Sequence, residues 1–236
     1  MSKTITQEML KNLPAPIQRY LVYTGVVGMP WVENVRLKYT GKFRQAEEKP
    51  WMPMVARETY TTDPASFSWD AKFKLAGIPL LRVRDKYKNG KGSMLGKLAG
   101  IKTIFDVKDS VELNQGAMMR YLNEIMWFPT AFFSDKISWE EIDDESAQVT
   151  YTDFGTSVSA RLFIDDVGQL TNFVAERYRE TNGEFSLDTW STPITAYGEF
   201  KGLKLPIGGS GVWNLPSGDL TYIILELKEI EYDFAA

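Results

Sequence analysis

The sequence predicts an α+β protein that is mostly β: a strongly curved antiparallel sheet, a half-barrel or open barrel, embracing a helix, with a helical segment at the N-terminus. Three observations predict it. Several segments alternate apolar and polar residues at period two, the mark of half-buried antiparallel strands. Turn dipeptides such as Asn89-Gly90, Asn182-Gly183 and Ser217-Gly218 punctuate them. One mid-chain stretch has helical spacing instead, and so many strands cannot stay flat in one sheet.

The elements follow in order. Residues 1–25 form the N-terminal helical segment: Leu13, Ile17, Tyr20 and Leu21 fall at helical spacing, and Gly25 is placed to end the helix. Pro14 and Pro16 require a break near Asn12. Strands occupy 31–113. Val35, Leu37, Tyr39 and Phe43 oppose Arg36, Lys38 and Lys42. Phe67, Trp69, Ala71, Phe73 and Leu75 oppose Ser68, Asp70, Lys72 and Lys74. Leu81, Val83 and Tyr87 oppose Arg82, Arg84, Lys86 and Lys88. Gly90 to Gly100 reads as a flexible hairpin or lid, because it misses the spacing and the Ser/Thr of a phosphate loop. A helix over 114–127 is placed to fill the concave side. Strands return over 137–233, at about 137–142, 146–152, 156–165, 169–181, 194–203 and 219–232. With no repeat or linker in between, residues 1–236 read as a single domain.

Composition narrows the chemistry. The chain has 236 residues, no histidine and no cysteine. That removes disulfides, thiolate nucleophiles, zinc–sulfur sites and every Ser-His-Asp or Cys-His device. No metal and no cofactor is expected. A net charge of −4 argues against nucleic acid and mildly against anionic membranes. No apolar run is long enough to span a bilayer, so no stable membrane insertion is expected. The N-terminal MSKTITQEML lacks the apolar core of a signal peptide, and a cytoplasmic location is the expectation. The acidic run 140–145 lacks the EF-hand spacing and reads as a solvated turn.

The candidate site centres on Arg120 to Pro129, RYLNEIMWFP. Arg120, Glu124 and Trp127 lie at i, i+4 and i+7, on a different arc from Ala117, Met118, Tyr121, Leu122 and Ile125. One account is a solvated face carrying an ion pair. The other turns the stripe toward a cavity, with Arg120 anchoring an anion or carbonyl. Asp85 alternates with Leu81, Val83 and Tyr87, and Glu58 with Met54, Ala56 and Tyr60, so both carboxylates point to the apolar side. Buried acids need partners, and Arg120 and Arg177 are the candidates. Such a cluster either fixes strand register or forms the base of a pocket. Arg120, Glu124, Trp127, Asp85, Glu58, Arg177, Tyr87 and Trp69 are therefore the candidate binding residues. The seven tryptophans are spread over the chain, as in core and rim packing.

Several of these residues carry a family resemblance. LPAPIQRYLVYTG, Ala56-x-Glu58-x-Tyr60, Phe67-x-Trp69-x-Ala71, Asp85-x-Tyr87 and Arg120-Tyr121-Leu122-x-Glu124 with Trp127-Phe128-Pro129 resemble a bacterial family of unknown function, DUF6544 (earlier DUF6920). The resemblance spans nearly the whole chain and implies no activity. Glu58 stands where the family pattern has Gln, which points to polarity there rather than charge. The β-rich pattern around an inserted helix is also similar to the half-barrel of LolA/LolB-like lipoprotein carriers.

Three functions remain open. The first is binding of a lipid-like, hydrophobic or amphipathic small molecule in the concavity, with Arg120 and Glu124 orienting its polar end. The second is a metal-independent isomerase or lyase using Asp85 or Glu124 as acid/base. The third is a structural or partner-binding protein, which a filled interior would favour.

Overall fold

The computed structural model describes residues 4–75, 77–181 and 183–233. Two short helices open the chain, α1 (Gln7–Leu10) and α2 (Ala15–Thr24). The break between them follows from Pro14 and Pro16, and Gly25 closes α2 at φ 76°. α2 packs across β8, β9 and β13 through Ile17, Tyr20 and Leu21, which are fully buried.

Six strands come next: β1 (Asn34–Phe43), β2 (Met52–Thr62), β3 (Ala65–Leu75), β4 (Ile78–Lys88), β5 (Lys91–Leu98) and β6 (Lys102–Lys108). Each pairs antiparallel with the one before it, so the chain walks outward to an edge. α3 (Val111–Glu124) then leaves that edge, and two 3₁₀ turns, Ile125–Trp127 and Pro129–Phe133, prolong its path. The far edge follows as β7 (Ile137–Asp143), and the chain walks back inward through β8 (Ser146–Asp153), β9 (Thr156–Ile164), β10 (Leu170–Thr181) and β11 (Glu184–Ser191). β12 (Ile194–Phe200), β13 (Leu203–Leu215) and β14 (Gly218–Tyr232) complete the sheet. β14 pairs with β1, so the two walks meet in the middle. β13 pairs with β12 along its first half and β11 along its second. The result is one curled antiparallel half-barrel, with α3 packed against β4, β5, β9 and β10.

α3 is not amphipathic in the usual sense. Gly116 to Met119 and Tyr121 to Glu124 are all buried, because the curled sheet surrounds the helix instead of meeting one stripe of it. The Ser110 hydroxyl caps its N-terminus by accepting from the Leu113 amide at 3.1 Å.

The structure corrects four sequence-based elements. The helix starts at Val111, earlier than 114, and gives way to a 3₁₀ turn after Glu124. The segment read as a lid is β5, an interior strand. Its alternation is hidden because two of its inward positions are glycines. A Cβ on Gly92 would come within 2.7 Å of the Leu113 carbonyl of α3, so this glycine is what lets helix and sheet approach. β11 escaped notice because Phe185 and Leu187 are exposed apolar residues on the face opposite Trp190, which blurs the period. β13 escaped because Pro206 and the run Gly208-Gly209-Ser210-Gly211 resemble a loop in composition. At Gly211 the side chains of Tyr222 and Ile223 occupy the space a Cβ would need.

Candidate functional site

The concave side carries a buried ionic cluster that joins α3 to the first half of the sheet. Strand parity places Tyr39 on β1, Glu58 and Tyr60 on β2, Phe67 and Trp69 on β3, and Asp85 and Tyr87 on β4 on that face, with Glu58, Trp69 and Asp85 opposite one another in register and Tyr60, Phe67 and Tyr87 in the next row. α3 lowers Arg120 and Glu124 onto them. Arg120 Nε donates to Glu124 Oε1 at 2.9 Å, Nη1 to Asp85 Oδ2 at 2.9 Å, and Nη2 to both Glu58 oxygens at 2.9 and 3.0 Å. The guanidinium also lies 4.9 Å from the ring centres of Phe67 and Trp69. Tyr39 donates to Glu58 Oε2 at 2.7 Å and Tyr60 to Glu124 Oε2 at 2.9 Å.

The solvated-face account of the Arg120 stripe is therefore overturned. The Arg120 side chain is 15% exposed, Glu58 0%, and Asp85 and Glu124 7% each. The sheet curls around the helix, so the polar arc faces strands rather than water.

Three carboxylates meet one guanidinium, and burial is the largest influence on the protonation of Glu58 and Glu124. Burial pushes Glu58 up to about 8, against the opposing pull of Arg120, and neighbouring Glu124 raises it further. Burial likewise raises Glu124, against the pull of Arg120. Arg120 stays charged, since its acids outweigh its own desolvation. The cluster thus holds a proton at neutral pH. A neutral Glu58 resembles a Gln in shape and polarity. Asp85 Oδ1 and the Trp69 indole N–H, cross-strand neighbours, are buried without a hydrogen-bond partner within the protein.

The other sequence candidates lie around this cluster or away from it. Trp127 falls in the 3₁₀ turn, stacks on Tyr39 at 6.1 Å and donates its indole N–H to the Pro206 carbonyl at 3.0 Å. Tyr87 is on the concave face but bonds to none of the cluster, and its hydroxyl is buried and unpartnered. Burial, with Asp153 nearby, pushes Tyr87 up to about 12. Arg177, expected to pair with the inward acids, does not. It sits on β10 in the other half of the sheet, across α3, where it donates to the Gly116 carbonyl at 3.3 Å and lies over Trp190 at 4.6 Å. Sequence reasoning missed Tyr39, Tyr60 and Phe67 as members. Their inward parity was legible, but nothing local marks a tyrosine hydroxyl as the partner of a distant carboxylate.

Two hollows among the described residues bear on ligand space. One of about 250 Å³ lies at the surface between Glu33, Thr61, Asp63, Ser66 and Lys88. The other, about 10 Å³, is enclosed near Trp31, Thr62, Tyr121 and Tyr151 and has room for about one water molecule. Neither touches Arg120, Glu58, Asp85 or Glu124. The cluster itself is buried among α3 and the strands that face it.

Below the cluster, toward the end where β1, β3 and β5 finish, the concave face is less covered. Phe43, Met52, Leu81, Phe105 and Tyr222 are only partly buried there. Register, with the Phe43–Tyr222 ring contact, places them at that end as one apolar mouth.

The model of the family of unknown function DUF6544 matches residues 3–225. The chain belongs to the DUF6544 family. No curated protein matches it. Among solved structures it is similar to a domain described as an outer membrane lipoprotein-sorting protein from Vibrio parahaemolyticus. That likeness has 9% identity and a TM-score of 0.53 and covers 96% of this chain and 94% of that one. It is also similar to a LolA superfamily protein from Nitrosomonas europaea, with 9% identity, a TM-score of 0.51, and coverage of 99% and 96%. At such identities the likeness establishes the shared fold. This DUF6544 member is thus a LolA-like half-barrel whose concave side holds a helix tied down by Arg120.

Proposed function

We propose that this protein binds the apolar part of a lipid-like or other amphipathic small molecule against the open end of its concave face. The observation that carries this reading is the mouth formed by Phe43, Met52, Leu81, Phe105 and Tyr222, apolar and only partly buried at one end of the concave face. The fold it shares with a lipoprotein-sorting domain supports the same class of ligand. Each of the three Arg120 nitrogens is engaged by a carboxylate of the protein. We therefore assign Arg120, Glu58, Asp85 and Glu124 to holding α3 in the half-barrel, and assign ligand contact to the mouth.

The test is a titration with a long-chain fatty acid or an environment-sensitive apolar dye, followed by Trp fluorescence. Trp213, stacked on Tyr222 at 5.9 Å, is an internal reporter. Saturable quenching that Leu81→Asn or Phe105→Ser abolishes is expected. Non-saturable binding, or binding indifferent to both variants, would remove the proposal. The packed surroundings of the Arg120 cluster favour a second reading, a structural protein without a small ligand, and that result would leave it standing. The acid/base reading, which rests on Asp85 or Glu124, has less to support it, since both carboxylates are buried and bound to Arg120.

A further inference from the structure

The total charge of −4 conceals a strong asymmetry. Residues 52–108 carry eleven Lys or Arg and five Asp or Glu. Two of those acids, Glu58 and Asp85, are buried on the concave face. The cations go the other way. Arg57, Lys72, Lys74, Arg82, Arg84 and Lys86 alternate with the inward residues of β2, β3 and β4, so the outer face of this half of the sheet is basic.

Register sharpens this. Lys72 faces Arg82 across the β3–β4 pair, Arg82 faces Lys97 across β4–β5, and Lys88 faces Lys91. Like charges directly opposite each other disfavour strand pairing. On the neighbouring β1–β14 pair the same kind of position is neutralised, with Arg36 bound to Glu231 at 3.0 Å and Lys38 to Glu229 at 2.6 Å. On the outer face of β2–β4, Asp70 takes both Arg82 and Arg84, at 2.6 and 3.2 Å. At the edge, Lys108 binds Asp106 and Lys91 binds Asp109. The face as a whole retains a positive excess.

One end of this face is apolar. The turn after β5 is tied to the start of β4 by the Ala99 amide donating to the Leu80 carbonyl at 2.6 Å. Ile78 is 57% exposed there and Ile101 86%. The β1–β2 connection reaches the same end. It carries Trp51, with Lys42 Nζ and the Arg44 guanidinium 4.9 and 4.8 Å from its ring centre, and also Glu47, Glu48 and Lys49.

We infer that this end and the basic outer face of β2–β6 form a docking surface for an anionic lipid bilayer. The cations meet the headgroup charge, and the aliphatic tips with Trp51 enter the interfacial region. Charge complementarity alone would also suit nucleic acid. The projecting isoleucines favour the bilayer, since a phosphate backbone offers them nothing. The surface lies outside the concavity, so the inference goes beyond the proposed ligand binding and stands or falls separately from it.

Co-sedimentation tests it, using vesicles of phosphatidylcholine alone or with about one third phosphatidylserine. The full chain pellets with the anionic vesicles and not the neutral ones. Each basic side chain near such a surface contributes about fivefold, so K72Q/K86Q/K97Q binds about a hundredfold more weakly. Ile101→Ser also weakens binding, whereas Val167→Ser, an exposed valine in the turn between β9 and β10, leaves it unchanged. All are surface changes, and an unaltered thermal midpoint verifies that each variant is folded. Equal binding to neutral vesicles, no binding to either, or wild-type binding by the triple variant would overturn the inference. So would tighter binding to an oligonucleotide that Ile101→Ser does not affect.

Discussion

Replacing Arg120 with methionine keeps the length of the side chain and removes the charge that three buried carboxylates share. At pH 7 Glu58 is already neutral, because burial pushes it up to about 8. The cost falls on Asp85 and Glu124, which lose their cation where each is 7% exposed. Holding one carboxyl neutral at pH 7 against an ordinary value near 4.3 takes about 4 kcal/mol. Removing one partner of a buried ion pair takes roughly 3–5 kcal/mol, which agrees. Arg120→Met is therefore expected to lower stability by about 3–5 kcal/mol in urea denaturation at pH 7, and by less at pH 5, where protonation is easier. The triple variant R120M/D85N/E124Q, with no charge left to strand, recovers at least half of the loss. A loss under about 1 kcal/mol with an unchanged m-value is what an exposed pair would give, and would refute the burial argument. A triple variant no better than Arg120→Met would refute its electrostatic origin.

Three further outcomes follow from the same geometry. Glu58 has a folded-state value raised above its unfolded one, so the folded protein binds the extra proton. Its stabilising contribution is complete below about pH 4.5 and is lost as pH rises toward 8, at up to about 1.4 kcal/mol per pH unit, and Glu58→Gln flattens that dependence. A stability profile unchanged by Glu58→Gln between pH 5 and 9 contradicts the raised value. Gly92→Ala places a Cβ 2.7 Å from a backbone carbonyl of α3 and is expected to cost about 1–3 kcal/mol by chemical denaturation. A neutral result would mean that helix and strand are not held at that distance. Trp127→Phe leaves the buried Pro206 carbonyl without its donor and is expected to cost about 1–3 kcal/mol, with tolerance of the change counting against that bond.

The legible part of this protein was the part governed by alternation. Glu58 and Asp85 were placed on the apolar side by their neighbours two residues away, and they are there. β5 and β13 were not legible because glycines occupy the inward positions that carry the period. The Arg120 stripe resembled an amphipathic surface helix because the sequence records polarity, not what stands opposite. Only the return of β7–β14 beside β1 closes the sheet around α3 and turns that arc inward. Arg177 shares its parity with the core, but parity does not say which half of a half-barrel a strand belongs to. The basic outer face was present in the residues as well. Net charge averaged it away, and strand register, which sets Lys72, Arg82 and Lys97 side by side, brought it back.

The central claim is that an apolar molecule rests in the mouth below the Arg120 cluster. Photo-crosslinking with a fatty acid bearing a diazirine near its methyl end, followed by peptide mapping, tests it most directly. The account predicts saturable adducts on β1, β2, β4 and β6, at residues such as Phe43, Met52, Leu81 and Phe105, that unlabelled fatty acid displaces. Adducts scattered over the surface, concentrated on α2 and β7–β9, or undiminished by competitor would contradict it.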